Sequence, residues 1–208
     1  MMRVAIIDAG GANIGSVRYA LERLGAETIV TGDAEVLDGC ERWILPGVGA
    51  AAVAMGRLHE LNLVPLLRTC PRPLLGICLG MQLLFEHSQE GDVECLGLLE
   101  GRVARLPAAS GIRLPHMGWN RLHRRRASAL LRGIEEGDHC YFVHGYAAPV
   151  TADCIASSTH GEEFAAVVER GRVAGAQFHP ERSAAVGARL LENFLAAAPN
   201  PHQHGVSQ

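Results

Sequence analysis

The chain has 208 residues, 48% of them hydrophobic and 20% charged, with a formal net charge of -3. A soluble globular chain with a sizeable core is expected from those values, organised as one compact domain over residues 1–198 with a flexible tail at 199–208. The near-neutral balance and scattered basic residues argue against a nucleic-acid or membrane partner.

In chain order, RVAIID gives a first strand and residues 14–24 a helix. ETIVT and RWILP give two more strands, and residues 51–69 a long helix. PLLGI is a further buried strand, leading into a helix over residues 80–87. Strands that alternate with helical patterns predict a parallel sheet covered by helices. Beyond about residue 96 the rhythm changes to short strand candidates (GRVARL, WNRLH, HCYFVH, DCIASS, AAVVER), read as additional, partly antiparallel sheet. Arg124-Arg125-Arg126 reads as a solvated turn. A last helix is expected over residues 183–198, where Val186, Leu190, Leu191, Phe194 and Leu195 recur at helical spacing.

The amino terminus meets Asp8 early and lacks the basic and long apolar regions of a signal peptide, and no apolar run is long enough to span a bilayer, so a cytoplasmic location is expected. Six cysteines, at 40, 70, 78, 95, 140 and 154, include no C-x-x-C pair and read as free thiols, five of them small hydrophobes. The His202-x-His204 pair in the tail reads as a disordered segment, and no metal or cofactor site is expected.

Cys78 is the exception. Gly76-Ile77-Cys78-Leu79-Gly80 has the G-x-nucleophile-x-G form of a strand-turn-helix elbow, with glycines where a β-carbon would collide at the tight crossing. Such an elbow lifts the sulfur out of the sheet and sets it at a helix amino terminus, where dipole and N–H groups favour a thiolate and can receive an oxyanion. A nucleophilic thiol needs a base, and the base an orienter. Gln177-Phe178-His179-Pro180-Glu181 ends a strand-like run at the sheet edge where sites assemble, and Glu181 can curl back onto the His179 ring. His139 and His144 are alternative bases without a nearby acid on the same turn. A second glycine turn, Pro46-Gly47-Val48-Gly49, lacks the lysine and hydroxyl of a phosphate loop and can aim the Val48 or Gly49 N–H at an acyl oxygen.

These segments, in this order, resemble the class I (triad) glutamine amidotransferases. Within them, Ile6-Ile7-Asp8, Leu114-Pro115-His116-Met117-Gly118-Trp119-Asn120, Tyr141-Phe142-Val143-His144 and Glu181-Arg182-Ser183 resemble the glutaminase subunits of imidazole glycerol phosphate synthase. The resemblance implies a flavodoxin-like α/β fold: a mostly parallel central sheet flanked by helices, with additional antiparallel strands. It implies hydrolysis of L-glutamine through a cysteine thioester, with Cys78 as nucleophile, His179 as base and Glu181 as its orienter. Gly47, Val48, Gly49 and Leu79 would then form the oxyanion hole, and Gln82, Gly145 and Tyr146 would meet the substrate. Asn13, Trp119 and Arg182 would lie at the ammonia passage toward a (β/α)8-barrel cyclase, which uses the ammonia to form imidazole glycerol phosphate and AICAR in histidine biosynthesis. Three positions depart from the pattern: Ala12 stands for a glycine, Gly145 for a serine or threonine, and Arg182 for a lysine. A cysteine peptidase, a redox-sensing α/β protein and an amidotransferase from another pathway are the rival readings.

Overall fold

The computed structural model describes residues 2–10, 13–108 and 111–197. The first half runs β1 (Arg3–Ile7), α1 (Ile14–Arg23), β2 (Glu27–Thr31), α2 (Ala34–Asp38), β3 (Arg42–Leu45), α3 (Ala51–Glu60), α4 (Val64–Thr69), β4 (Leu74–Ile77) and α5 (Leu79–Gln82). The second half begins with β5 (His87–Ser88), β6 (Val93–Glu94), β7 (Arg102–Arg105), β8 (His116–Arg121), β9 (His123–Arg124), β10 (His139–His144) and β11 (Tyr146–Ala147). It ends with β12 (Cys154–His160), β13 (Glu162–Arg170), β14 (Val173–Ala176) and α6 (Ala184–Ala196).

Eight strands form one sheet in the order β2-β1-β3-β4-β14-β13-β12-β9. The pairings from β2 through β14 are parallel, and those from β14 to β9 antiparallel. Every residue of β3, β4 and β14 is buried, as expected for strands covered on both faces. Successive side chains serve opposite faces: Trp43 and Leu45 enter one core cluster with Met55 and Phe85, while Ile44 enters the other with Phe142, Phe178 and Leu190. Beside the sheet lie the β8–β10 pair and a four-stranded β11-β7-β5-β6 sheet.

Two helices differ from the sequence expectation. The helix expected over residues 51–69 is two helices, because Asn62 turns left-handed at φ 54° and Pro65 opens a new first turn in α4. The helix expected over residues 80–87 is a single turn. After Gln82 the carbonyls of Leu83, Leu84 and Phe85 accept hydrogen bonds from Leu96, Gly97, Leu98 and Leu99. Partners distant in sequence thus replace the bonds that would have continued the helix. The five-residue α2 was not expected; Asp33 caps it by accepting from the Glu35 N–H at 2.8 Å. Arg124 and Arg125 face solvent and pair with Glu135 and Glu163. Of the positions singled out in the sequence, Ala12 and the His202-x-His204 pair lie outside the described residues.

Candidate active site

The elbow is built by chain crossing. Cys78 sits between β4 and α5 at φ 53°, ψ -111°, a backbone state that a residue with a β-carbon holds only when its surroundings impose it. A β-carbon on Gly80 would stand 1.8 Å from the Leu45 carbonyl oxygen, so helix and strand approach this closely only with glycine there. Gly47 closes the same knot from the other side, with an added β-carbon 2.8 Å from the Gly80 nitrogen. The Pro46–Gly49 turn is therefore seated directly on the elbow. Because α5 spans four residues, the expected dipole of a longer helix is reduced to the N–H groups of one turn.

The Cys78 sulfur lies 3.7 Å from the Val143 carbonyl oxygen and 3.8 Å from Gln177 Nε2. His179 follows β14, with its backbone N–H donating to the Tyr141 carbonyl at 3.0 Å. The Ser183 hydroxyl clamps this corner, donating to the His179 carbonyl at 2.7 Å and accepting from the Tyr141 N–H at 2.9 Å. His179 Nδ1 meets Glu181 Oε1 at 2.9 Å. An ionised carboxylate only accepts, so Nδ1 carries the proton and Nε2 is left for the thiol. Burial disfavours the imidazolium, but the nearby Cys78 sulfur and the hydrogen-bonded Glu181 carboxylate outweigh it and raise His179 above its ordinary value. An imidazole oriented by a carboxylate beside a thiol is the arrangement that nucleophilic thiol chemistry requires.

Glu181 is itself held. Its side chain is 1% exposed, and Oε1 accepts from Asn13 Nδ2 at 2.8 Å as well as from His179. Oε2 has no partner among the described residues. Asn13, expected at a partner interface, reaches the back of this histidine-carboxylate pair.

Sulfur, imidazole and turn open onto one cavity of about 200 Å³, lined by Val48, Gly49, Cys78, Leu79, Gln82, Val143, His144, Gly145, Tyr146 and His179 together with Glu90. Gln82 is 3% exposed, and its amide nitrogen donates to the Tyr146 carbonyl at 2.8 Å and to Gln177 Oε1 at 2.9 Å. It thereby braces the wall that Gly145 and Tyr146 present. Sequence reading missed Glu90. Its Oε2 accepts from the Ala51 N–H at 3.0 Å, and burial pushes the carboxyl above its ordinary value. Nothing local marks Glu90, since it stands in a polar turn and only the folded chain carries it to the pocket.

The alternative bases separate on geometry. His139 is exposed at the start of β10. His144 lines the cavity but has both ring nitrogens engaged, Nδ1 with the Tyr146 carbonyl at 2.8 Å and Nε2 with His116 Nδ1 at 3.0 Å. Burial pushes it down to about 3, leaving it neutral at physiological pH. Outside the cavity, Trp119 is 54% exposed and Met117 64% exposed on β8. The Trp119 ring stands edge-on to Tyr141 at 5.9 Å, and the Arg182 guanidinium lies 5.0 Å over the Tyr141 ring.

The family described as glutamine amidotransferase class-I matches residues 5–198. The chain is 65% identical to the imidazole glycerol phosphate synthase subunit HisH of Xanthomonas oryzae pv. oryzae (strain MAFF 311018), across 94% of this chain and 98% of that protein. It is 60% identical to the protein of the same name from Xylella fastidiosa (strain Temecula1), with the same coverage. In fold it is similar to a putative GMP synthase protein from Thermoplasma acidophilum, with a TM-score of 0.72 at 19% identity over 94% of this chain and 92% of that one. It is similar too to PurLQS from Thermotoga maritima, with a TM-score of 0.72 at 23% identity over 93% of this chain and 97% of that one. The chain belongs to the class I glutamine amidotransferase family.

Proposed function

We propose that this chain is the glutaminase subunit of an imidazole glycerol phosphate synthase, hydrolysing L-glutamine and handing the ammonia to a (β/α)8-barrel cyclase subunit in histidine biosynthesis. The carrying observation is the His179 ring, tied through Nδ1 to Glu181 at 2.9 Å and lining one cavity with the sulfur of Cys78 at the elbow. The relatives named HisH, alike over nearly the whole chain, support the choice of pathway.

In this reading the Cys78 thiolate attacks the amide carbon of glutamine. The oxyanion is received by backbone N–H groups of the Val48–Gly49 turn and Leu79, where each such donor is worth roughly 10²–10³ in rate. His179 gives its Nε2 proton to the departing nitrogen, ammonia leaves, and a γ-glutamyl thioester remains on Cys78. His179 Nε2 then takes a proton from water, whose oxygen attacks the thioester, releasing glutamate and restoring the thiolate-imidazolium pair. Glu181 holds the ring in one tautomer and supports its charge throughout. Glu90, a carboxylate on the wall of the same cavity, receives the α-ammonium of glutamine, and the backbone of Gly145 and Tyr146 faces the α-carboxylate. With Gly145 in place of a hydroxyl residue, that contact is made by backbone alone.

The patch of exposed Met117, Trp119 and Arg182 over the half-buried Tyr141 is the surface assigned to the cyclase, with aromatic rings and a cation suited to an interface core. No helix among the described residues is long and apolar enough to cross a membrane, and the pathway assigns the chain to the cytoplasm. The test is Cys78→Ser in complex with the cyclase. Glutamine-dependent turnover is expected to vanish while turnover with added ammonium salt persists, because the barrel needs only ammonia. Loss of both activities would make Cys78 a structural residue and overturn the reading.

A further inference from the structure

Strand β8 places the motif Leu114–Asn120 with two faces. Met117 and Trp119 point to solvent, while His116, 4% exposed, turns inward against His144 of β10, its register partner. His144 in turn lines the cavity that holds Cys78. The two imidazoles belong to a hydrogen-bonded chain whose direction is forced from its inner end.

The Tyr146 carbonyl can only accept, so His144 Nδ1, 2.8 Å away, must carry a proton. In a neutral ring the other nitrogen, Nε2, is then an acceptor, and the His116 Nδ1 that meets it at 3.0 Å must be a donor. His116 Nε2 is consequently an acceptor too, and Asn120 Nδ2 lies 3.2 Å from it. Asn120 is anchored by a second donation, to the Thr159 carbonyl at 2.9 Å. Burial keeps both rings neutral, pushing His144 down to about 3 and, with the neighbouring His160, His116 down to about 4. At the inner end the Tyr146 carbonyl also accepts from Gln82, so both of its lone pairs are engaged. Reversing any ring would set donor against donor or acceptor against acceptor inside the core.

We propose that His116 is a positioning residue for glutamine binding: with Asn120 behind it, it fixes the tautomer of His144 and thereby the Gly145–Tyr146 wall of the substrate pocket. This deepens the glutaminase reading and rests on it for the ligand. The inward face of the motif thus sets the pocket, while its outward face carries Met117 and Trp119, a division that the contiguous sequence does not display.

The test has a spectroscopic arm and a kinetic arm, both on the full-length chain in complex with the cyclase. Proton–nitrogen correlation spectra of the imidazole rings at neutral pH are expected to show His116 and His144 as neutral Nδ1–H tautomers. A His144 ring in the Nε2–H form would overturn the proposal whether or not glutamine is the substrate. In steady-state glutamine hydrolysis, His116→Leu is expected to raise KM about tenfold, the scale of one lost hydrogen bond, with kcat nearly unchanged. His116→Asn, whose amide nitrogen replaces Nδ1 as donor to His144, is expected to hold KM within about twofold. Equal KM values for the wild type and both variants, or equal impairment in both variants, would remove His116 from the substrate wall. If the chain turns over no glutamine at all, the substrate reading fails while the tautomers can still be read.

Discussion

Replacing Asn13 with glycine removes one of the two donors that meet Glu181 Oε1. Asn13 occupies the left-handed region at φ 74°, which glycine adopts freely, so the change deletes the amide without adding backbone strain. A hydrogen bond to a buried charged group contributes about 1.5–3 kcal/mol. Glu181 orients the ring in the free protein as well as in the transition state, so only part of that is expressed in the rate. About half of it, roughly 0.8–1.5 kcal/mol, corresponds to a factor of about 4 to 12 in kcat/KM. The assay is glutamine hydrolysis with the cyclase saturating, alongside ammonium-dependent turnover and calorimetric titration of the cyclase. The expected outcome is kcat/KM for glutamine lowered by that factor of about 4 to 12, unchanged ammonium-dependent turnover and near-normal affinity. Unchanged kcat/KM together with weakened cyclase binding would refute this role and leave Asn13 as an interface residue.

His179→Ala removes the proton carrier and is expected to lower glutamine turnover by roughly 10²–10⁴-fold, a larger loss than for Glu181→Gln; the reverse order in steady-state kinetics would displace His179 from its role. The buried pair His116 and His144, with His160 and His179 as its titratable neighbours, predicts acid sensitivity. Both folded values lie below the unfolded 6.5, so the unfolded chain binds more protons, and stability is full above pH 6.5 and falls as pH drops toward 4. The first proton enters the folded pair about 2.5 pH units late, which at ~1.4 kcal/mol per pH unit is about 3.5 kcal/mol. The two rings share a hydrogen bond and are counted once, and urea titrations from pH 7 to 4 read the loss. Gly80→Ala drives a β-carbon against the Leu45 carbonyl and is expected to cost about 3 kcal/mol or more, a drop of roughly 6–12 °C in calorimetric Tm. An unchanged Tm would mean that the elbow relaxes freely. Glutamine hydrolysis by the chain alone is expected to rise at least about tenfold when cyclase and its nucleotide ligand are added, part of the roughly 10²–10³ that one oxyanion donor brought into place supplies; equal rates would dissociate the Pro46–Gly49 turn from the partner.

Several features were legible in sequence because the physics behind them is local. Alternating apolar runs give the parallel strands, since a strand covered by helices on both faces is apolar throughout. Two glycines around Cys78 give the elbow, since only glycine tolerates the crossing. His179-Pro180-Glu181 gives the imidazole and its carboxylate, since two residues suffice to curl one onto the other. What tertiary structure decided depends on partners far along the chain. The helix after Gln82 stops after one turn because residues 96–99 capture its carbonyls, and no local propensity encodes that competition. Glu90 becomes a pocket residue only through the turn that brings it to the amino end of α3. Asn13 meets Glu181 across 168 residues. His144, a candidate base as a sequence neighbour of Tyr141, loses that role because His116 and the Tyr146 carbonyl occupy both of its nitrogens. Residue types set which chemistry is available here; the free valences that remain after folding set which residue performs it.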